Sequence, residues 1–280
     1  MDILSVIWNV DPEIFRIGNF SLRYYSVLFL SGFILGYFIF RGFYKREHLP
    51  LEQLDNLFFV SLISALIGAR LGHVIGYDLR YYLAHPLEIL ATWKGGLASH
   101  GGAAGLLVGL WWYVRRYGRK YGINYLWLLD RFIIPVTFAG ALIRFGNLMN
   151  SEIYGDVTDL PWGFVFVRAG EVVAKHPTQI YEALSYVALG IGLMWLYRHR
   201  LDRLRQGTLF GIFLTFLFGV RFLIEFIKEP QSDFEVDMLL NMGQLLSIPF
   251  IIAGIVIWIW SVKCGKPALL PPRSRTYRQR

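Results

Sequence analysis

Seven charged or amide side chains stand in stretches that are otherwise apolar: Arg70, His73, His100, Arg144, Asn147, Arg221 and Glu225. Charged groups in such stretches are rare and usually face a bundle interior or a wet cavity. Arg70 and His73 are three residues apart and share a helix face, and Arg221 and Glu225 are four apart and can pair. Arg144, Asn147 and Asn150 repeat the three-residue step. Three arginines stand against one glutamate, or two with Glu152. Like charges gathered together call for a counter-anion, and the guanidinium fork suits phosphate. A phospholipid head group is the natural anion for such a place. For any one of these residues alone, a polar contact gluing two helices together explains it equally well.

His100 stands in a second focus. Residues 95–105 contain five glycines, Gly95, Gly96, Gly101, Gly102 and Gly105, which lets backbone approach backbone or ligand closely. Small-residue helix packing accounts for Gly101 and Gly105 at i,i+4 but not for a histidine between the glycines. His100 is a candidate general base. Asp130 and Arg131 read as ordinary boundary anchors, and His48, His85 and His199 fall in loops. Cys264 reads as incidental, not as a nucleophile.

The elements that must carry these groups follow from composition. Of 280 residues, 55% are hydrophobic and 17% charged, too few charges for one soluble domain and too apolar for disorder. A single cysteine excludes a disulfide framework and a Cys-ligated zinc or iron–sulfur site. Seven stretches reach the roughly 20 apolar residues of a membrane helix: about 23–42, 56–77, 96–114, 127–149, 178–197, 207–227 and 240–262. The expected fold is an all-α polytopic membrane protein, residues 1–280 forming one integral membrane domain. No linker and no internal repeat is visible. Residues 1–22 lack a basic n-region and a long apolar run, so they read as a short interfacial segment, not a cleavable signal.

Charge sets the orientation. The loops at 41–50, 115–120 and 198–205 hold three, four and four Lys/Arg, and the tail at 263–280 holds six, together 17 of 28. The N-terminus and the other three loops hold six. The positive-inside rule then places the N-terminus outside and the basic tail in the cytoplasm, which an odd number of spans also requires. Anionic inner-leaflet lipid explains the net charge of +8, and nucleic acid is not needed. Residues 150–177, the longest loop, form a small extracytoplasmic head in which 162–167 and Val172–Val173 could pair as a hairpin. This head and the 228–239 loop are acidic (Glu152, Asp156, Asp159 and Glu171; Glu229, Asp233, Glu235 and Asp237).

The string Arg144-Phe145-Gly146-Asn147-Leu148-Met149-Asn150-Ser151-Glu152-Ile153-Tyr154-Gly155 resembles the R-x-G-N-x-x-N-x-E-x-x-G signature of bacterial prolipoprotein diacylglyceryl transferases. The resemblance covers nearly the whole chain. It includes Arg23-Tyr24-Tyr25, Gly68-Ala69-Arg70-Leu71-Gly72, His100-Gly101-Gly102, His176-Pro177-Thr178-Gln179-Ile180-Tyr181-Glu182, Arg221-Phe222-Leu223-Ile224-Glu225-Phe226 and Met242-Gly243-Gln244-Leu245-Leu246-Ser247. The chain departs from the family pattern at Ile143, usually Gly, at Leu148, usually Phe, and at His73, often Tyr.

The resemblance implies seven spans in the bacterial inner membrane with the N-terminus outside. It implies transfer of the diacylglyceryl group of phosphatidylglycerol to the lipobox Cys thiol of a preprolipoprotein signal peptide, with glycerol 1-phosphate leaving. No metal or organic cofactor is implied. Carried over residue by residue, the catalytic set is His100, Arg144, Arg221, Glu225 and Tyr25. The phosphatidylglycerol-binding set is Arg144, Arg221, Asn147, Glu152, Gly155 and Arg70. On charge, Glu225 and Glu152 would orient the arginines, and His100 would be the base for the thiol or a head-group positioner. Two other classes differ in what they require: a lipid or anion transporter calls for a repeat and polar residues through to the cytoplasmic side, a signalling protein for a soluble module.

Overall fold

The computed structural model describes residues 5–18, 20–92, 95–229 and 238–270. Asp233, Glu235 and Asp237 of the acidic loop, and residues 271–280 of the basic tail, lie outside them. The elements in chain order are β1 (Val6–Trp8), β2 (Glu13–Ile17), β3 (Phe20–Arg23), α1 (Tyr24–Arg46), α2 (Leu51–Tyr77), α3 (Leu79–Ala84), α4 (Ser99–Arg116), α5 (Tyr125–Met149), β4 (Phe164–Phe166), α6 (Thr178–His199), α7 (Thr208–Ile224) and α8 (Met242–Cys264). The chain is mostly helical, and α1, α2, α5, α6, α8 and α7 with the turn that continues it to Ile227 are long and apolar enough to cross a membrane. A helix also forms over the third expected stretch, but α4 has only 18 residues and opens on Ser-His-Gly-Gly. Large apolar side chains such as Leu30, Phe38, Ile63, Ile67, Val256 and Ile259 point outward, as a lipid-facing surface requires.

The contacts divide the chain into two compact units, one of residues 1–39 and 129–269, the other of 40–128 and 270–280. In the first, β2 and β3 form an antiparallel hairpin with Phe15 opposite Leu22 and Ile17 opposite Phe20. The segment read as interfacial therefore carries strand at Val6–Trp8, Glu13–Ile17 and from Phe20 on. The expected hairpin in the head is reduced to one antiparallel bridge, Phe164 to Lys175, and Val172–Val173 take no part in it. β4 pairs in parallel with β1, Val6 against Phe164 and Trp8 against Phe166, while Phe164 also exchanges 2.9 Å hydrogen bonds with Lys175. Val172 and Val173 stay exposed.

Helices in this unit meet through small residues. A side chain at Gly211 would strike Trp258 and Gly254, and one at Gly254 would strike Thr215, so α7 and α8 are in backbone contact. Ala141, Ala183 and Tyr186 form a buried cluster between α5 and α6. Asp130 and Arg131 are not boundary anchors. Both are buried: Asp130 accepts from Gly207 N at 2.7 Å and Phe210 N at 2.9 Å, capping α7, and Arg131 Nη2 donates to Ala268 O at 2.9 Å. A carboxylate at a helix N-terminus satisfies orphan amides and complements the dipole.

In the second unit, α2 and α4 pack closely. A Cβ at Gly68 would fall 2.6 Å from Gly105 Cα, and one at Gly72 the same distance from Gly101 Cα. Glycine costs a helix interior about 1 kcal/mol against alanine. The close approach of two backbones is what that cost permits here.

Candidate functional site

The signature string occupies the last turns of α5 and the loop after it. Arg144 and Asn147 share a face three residues apart, and Arg144 Nη1 donates to Asn147 Oδ1 at 3.2 Å. The chain then reverses sharply. Ser151 and Ile153 hold φ of 53° and 61°. Positive φ is costly for a β-branched residue and persists only where surrounding bonds over-determine it. Those bonds are present. Glu152 N donates to Asn147 O at 3.1 Å, Thr178 Oγ1 to Ile153 O at 3.0 Å, and Gln179 Nε2 to Glu152 O at 2.7 Å. The reversal brings Glu152 back over the helix end, where Oε1 accepts from Asn147 Nδ2 at 2.7 Å and Asn150 Nδ2 at 3.2 Å. Gly155 closes the loop: its N donates to His176 O at 2.8 Å, and a Cβ there would collide with Ile227 O, Thr178 and His176.

Tyr25, in the first turn of α1, lies against this string. Its ring covers Gly146 so closely that a Cβ would meet Cδ2 at 2.7 Å. Tyr25, Arg144, Asn147, Glu152 and Gly155 are thus brought together in one unit.

The ion pairs differ from the helical-spacing expectation. Arg144 Nε pairs with Glu182 Oε2, in the second turn of α6. Glu225 pairs with Lys228, Oε2 to Nζ at 3.4 Å, and not with Arg221. The reason is local. α7 ends at Ile224, and Glu225–Ile227 is a 3₁₀ turn, whose three-residue period puts Lys228 on the Glu225 face. Lys228 Nζ also reaches Glu182 Oε1 at 3.2 Å. Glu225 in turn lies against Gly243, where a Cβ would fall 2.6 Å and 2.7 Å from its oxygens. Gly243 is in the first turn of α8, whose dipole favours a carboxylate. Arg221 is half-buried and makes no hydrogen bond or ion pair among the described residues.

Glu182 and Lys228 are the residues that sequence reasoning did not place in the site, although Glu182 closes the His176-to-Glu182 string of the resemblance. Glu182 carried a signal, since it is the one charged residue in the apolar stretch 178–197. Lys228 was counted as a loop cation.

The head braces the loop from the other side. Lys175, buried, pairs with Glu229 and lies 3.5 Å from Glu171, and Tyr154 Oη donates to Glu171 Oε1 at 2.8 Å. Burial pulls the Lys175 ammonium down, but Glu229 and Glu171 outweigh it and hold its pKa above the ordinary value. Burial, and then the acceptor Glu171, push the Tyr154 phenol well up.

In the second unit, Arg70 is 5% exposed and gives its guanidinium to main chain. Nε donates to Ile89 O at 2.8 Å, Nη1 to Gly95 O at 2.8 Å and Gly96 O at 3.1 Å, and Nη2 to Glu88 O at 2.5 Å. Tyr82 lies under it at 5.0 Å. The expectation of a lipid-binding Arg70 meets a fork engaged with four carbonyls. Gly95 and Gly96 hold φ of 88° and 73°, and a Cβ at Gly96 would strike Arg70 Nη1 and the His73 ring at 2.6–2.7 Å. Ala98 N then donates to Ala69 O at 2.9 Å, and two residues later His100 sits exposed in the first turn of α4. His100 makes no side-chain hydrogen bond among the described residues. His73 stacks on Tyr77 at 5.2 Å. Cys264 is exposed at the end of α8.

This arrangement of an ion-paired arginine, a second arginine with no hydrogen bond or ion pair among the described residues and a strained amide-rich loop is built on residues 144–155 and their neighbours. The sequence pattern of the prolipoprotein diacylglyceryl transferase family matches residues 12–260, which include all of them. The phosphatidylglycerol–prolipoprotein diacylglyceryl transferase of Tolumonas auensis is 45% identical over 256 residues, 91% of this chain and 97% of that protein. That of Porphyromonas gingivalis is 45% identical over 273 residues, covering 92% and 95%. That of Cupriavidus pinatubonensis is 38% identical over 262 residues, covering 90% and 92%. With the likeness running the length of these relatives and through every element of the site, the chain belongs to the prolipoprotein diacylglyceryl transferase family.

Proposed function

We propose that the protein transfers the diacylglyceryl group of phosphatidylglycerol to the lipobox cysteine thiol of preprolipoproteins, the first step of lipoprotein maturation. The observation that carries this reading is the pair Arg144 and Arg221: one guanidinium anchored at Nε by Glu182, the other without hydrogen bond or ion pair among the described residues. In the step itself the thiol sulfur attacks glyceryl C3 and a C–S bond forms. The C–O bond to phosphate breaks, its electron pair stays on the phosphate oxygen, and glycerol 1-phosphate departs. Arg144 and Arg221 stabilise the charge gathering on that phosphate, where a fork outperforms a point charge. Asn147 and the Glu152–Gly155 loop shape the head-group site. Tyr25 borders it and hydrogen-bonds the lipid. Glu225, at the α8 N-terminus, keeps Lys228 in place. His100 takes the thiol proton, because a free thiol near pKa 8.5 is mostly protonated at neutral pH.

The same reading places the chain in the bacterial inner membrane with seven spans, α4 being the seventh, the N-terminus and the 150–177 head outside and the 263–280 tail cytoplasmic. The last turns of α1, α4, α6 and α8 support it: they carry Lys45 and Arg46, Arg115 and Arg116, Arg198, and Lys263, as helix ends at the positive side should. A reporter after Arg280 is expected to be cytoplasmic and one between Asp156 and Asp159 external; both on one side would sink the seven-span arrangement.

The activity is tested with purified protein, phosphatidylglycerol and a lipobox peptide. Thioether-linked diacylglyceryl peptide and released glycerol 1-phosphate, in equal amounts, are expected. Lipid moved between leaflets without a thioether would favour a transporter.

A further inference from the structure

We propose that Glu182 is a positioning residue for the transfer reaction, acting through Arg144. It is 1% exposed, so it does not meet a lipid itself. Its two oxygens face two different cations: Oε2 pairs with Arg144 Nε, and Oε1 lies 3.2 Å from Lys228 Nζ. Three elements therefore converge on one carboxylate: the end of α5, the second turn of α6 and the turn after α7.

The two cations depend on it unequally. Lys228 has a second carboxylate, Glu225 at 3.4 Å. Arg144 has no other ion pair among the described residues, and its other partners are neutral: the Asn147 amide at 3.2 Å and the Tyr186 hydroxyl. A guanidinium held at Nε by Glu182 and at Nη1 by Asn147 has its plane and direction fixed. Its side chain is 14% exposed against 1% for Glu182. That is the geometry of a buried carboxylate aiming a partly exposed fork. Aim matters because an ångström of misplacement costs on the order of 10²-fold in rate.

This inference rests on Arg144 meeting the lipid phosphate, and the experiment separates the two. Turnover of phosphatidylglycerol and a lipobox peptide is measured for Glu182→Gln, Arg144→Lys and the double variant. Glu182→Gln is expected to lower kcat about 10²-fold while KM for phosphatidylglycerol moves by less than about 3-fold. In the Arg144→Lys background the same change is expected to cost less than about 3-fold more, since a residue acting through Arg144 has nothing further to lose. Equal losses in both backgrounds, or wild-type kcat in Glu182→Gln, would overturn the positioning role and leave the Arg144 reading intact. Full activity in Arg144→Lys would overturn both. If Glu182→Gln does not accumulate, Glu182→Asp keeps the charge and shortens the reach by one methylene. It is expected to fold and to lose about 10-fold or more in kcat. Wild-type kcat there would overturn the proposal.

Discussion

Asn147 Nδ2 donates to Glu152 Oε1 at 2.7 Å across a turn in which Ser151 and Ile153 both hold positive φ. The bond ties the helix end to the strained loop, and Asn147 is buried where it does so. Asn147→Asp would exchange the donor for a second carboxylate at hydrogen-bond distance. It would also hand Arg144 Nη1 a charged competitor to any phosphate. We expect about 2–3 kcal/mol of destabilisation, the scale of a lost hydrogen bond to a charged group, together with loss of turnover. Asn147→Ala should be milder in stability. A denaturation midpoint for Asn147→Asp equal to wild type would show that the amide does not hold the loop.

Arg144 and Arg221 should respond differently to lysine. Both Arg→Lys changes keep charge and lose the fork, and each is expected to cost roughly 10²–10³ in rate, as removal of one transition-state charge contact does. Stability separates them. Arg144 is anchored by Glu182, Asn147 and Tyr186, whereas Arg221 makes no hydrogen bond or ion pair among the described residues. Thermal unfolding should therefore fall in Arg144→Lys and stay at wild type in Arg221→Lys. A large fall for Arg221→Lys would make it a structural cation.

Arg70 makes a different prediction from the lipid-binding role its type and place suggest. Its fork holds the carbonyls of Glu88, Ile89, Gly95 and Gly96, on the segment that leads into α4. Arg70→Lys cannot span four carbonyls, and each bond to the charged guanidinium that is given up costs about 1.5 kcal/mol. Amide exchange at Leu97, Ala98 and Ser99 should speed up markedly. Unchanged exchange with weakened lipid binding would restore the lipid-binding role.

The sequence and the structure part company where pairing depends on how an element ends or on distant chain. The helices, the Arg144-to-Gly155 string and the small-residue packing of Gly101 and Gly105 were legible, because apolar length, a specific motif and i,i+4 glycines are local signals. Glu225 pairing with Lys228 was not, since the switch from α to 3₁₀ at Glu225 is invisible to a 3.6-residue period. Nor was Asp130 capping α7 from 77 residues away, or β4 taking the N-terminal β1 as its parallel partner. Those choices are made by burial. A buried carboxylate or strand edge takes whichever partner the packed chain presents.

The head should lose stability in alkali. Lys175 and Tyr154 both have folded pKa values raised above their ordinary 10.5 and 10.0. The folded state then holds protons that the unfolded chain releases, so the contribution is complete below about pH 10 and falls as pH climbs beyond it. The readout is the thermal midpoint from pH 8 to 11, compared with Tyr154→Phe and Lys175→Met, because other tyrosines titrate in the same range. Both variants should show a shallower decline than wild type. Parallel curves would mean that neither group is linked to folding of the head.

His100 offers the sharpest test of mechanism. It stands exposed in the first turn of α4, after the loop that Arg70 and two positive-φ glycines shape, and makes no side-chain hydrogen bond among the described residues. An imidazole with no structural bond to lose can be exchanged for an amide at little cost to the fold. As a base, it would take the thiol proton at neutral pH. His100→Gln should then lose turnover while still binding phosphatidylglycerol. Raising pH toward the thiol's own value near 8.5 should return part of the rate, because thiolate then forms without help. A positioning role predicts weaker lipid binding and no recovery. Turnover and lipid binding across about pH 6.5–9.5 bracket that value. Lost binding with a flat profile would remove the base and leave the arginine field alone to favour the thiolate.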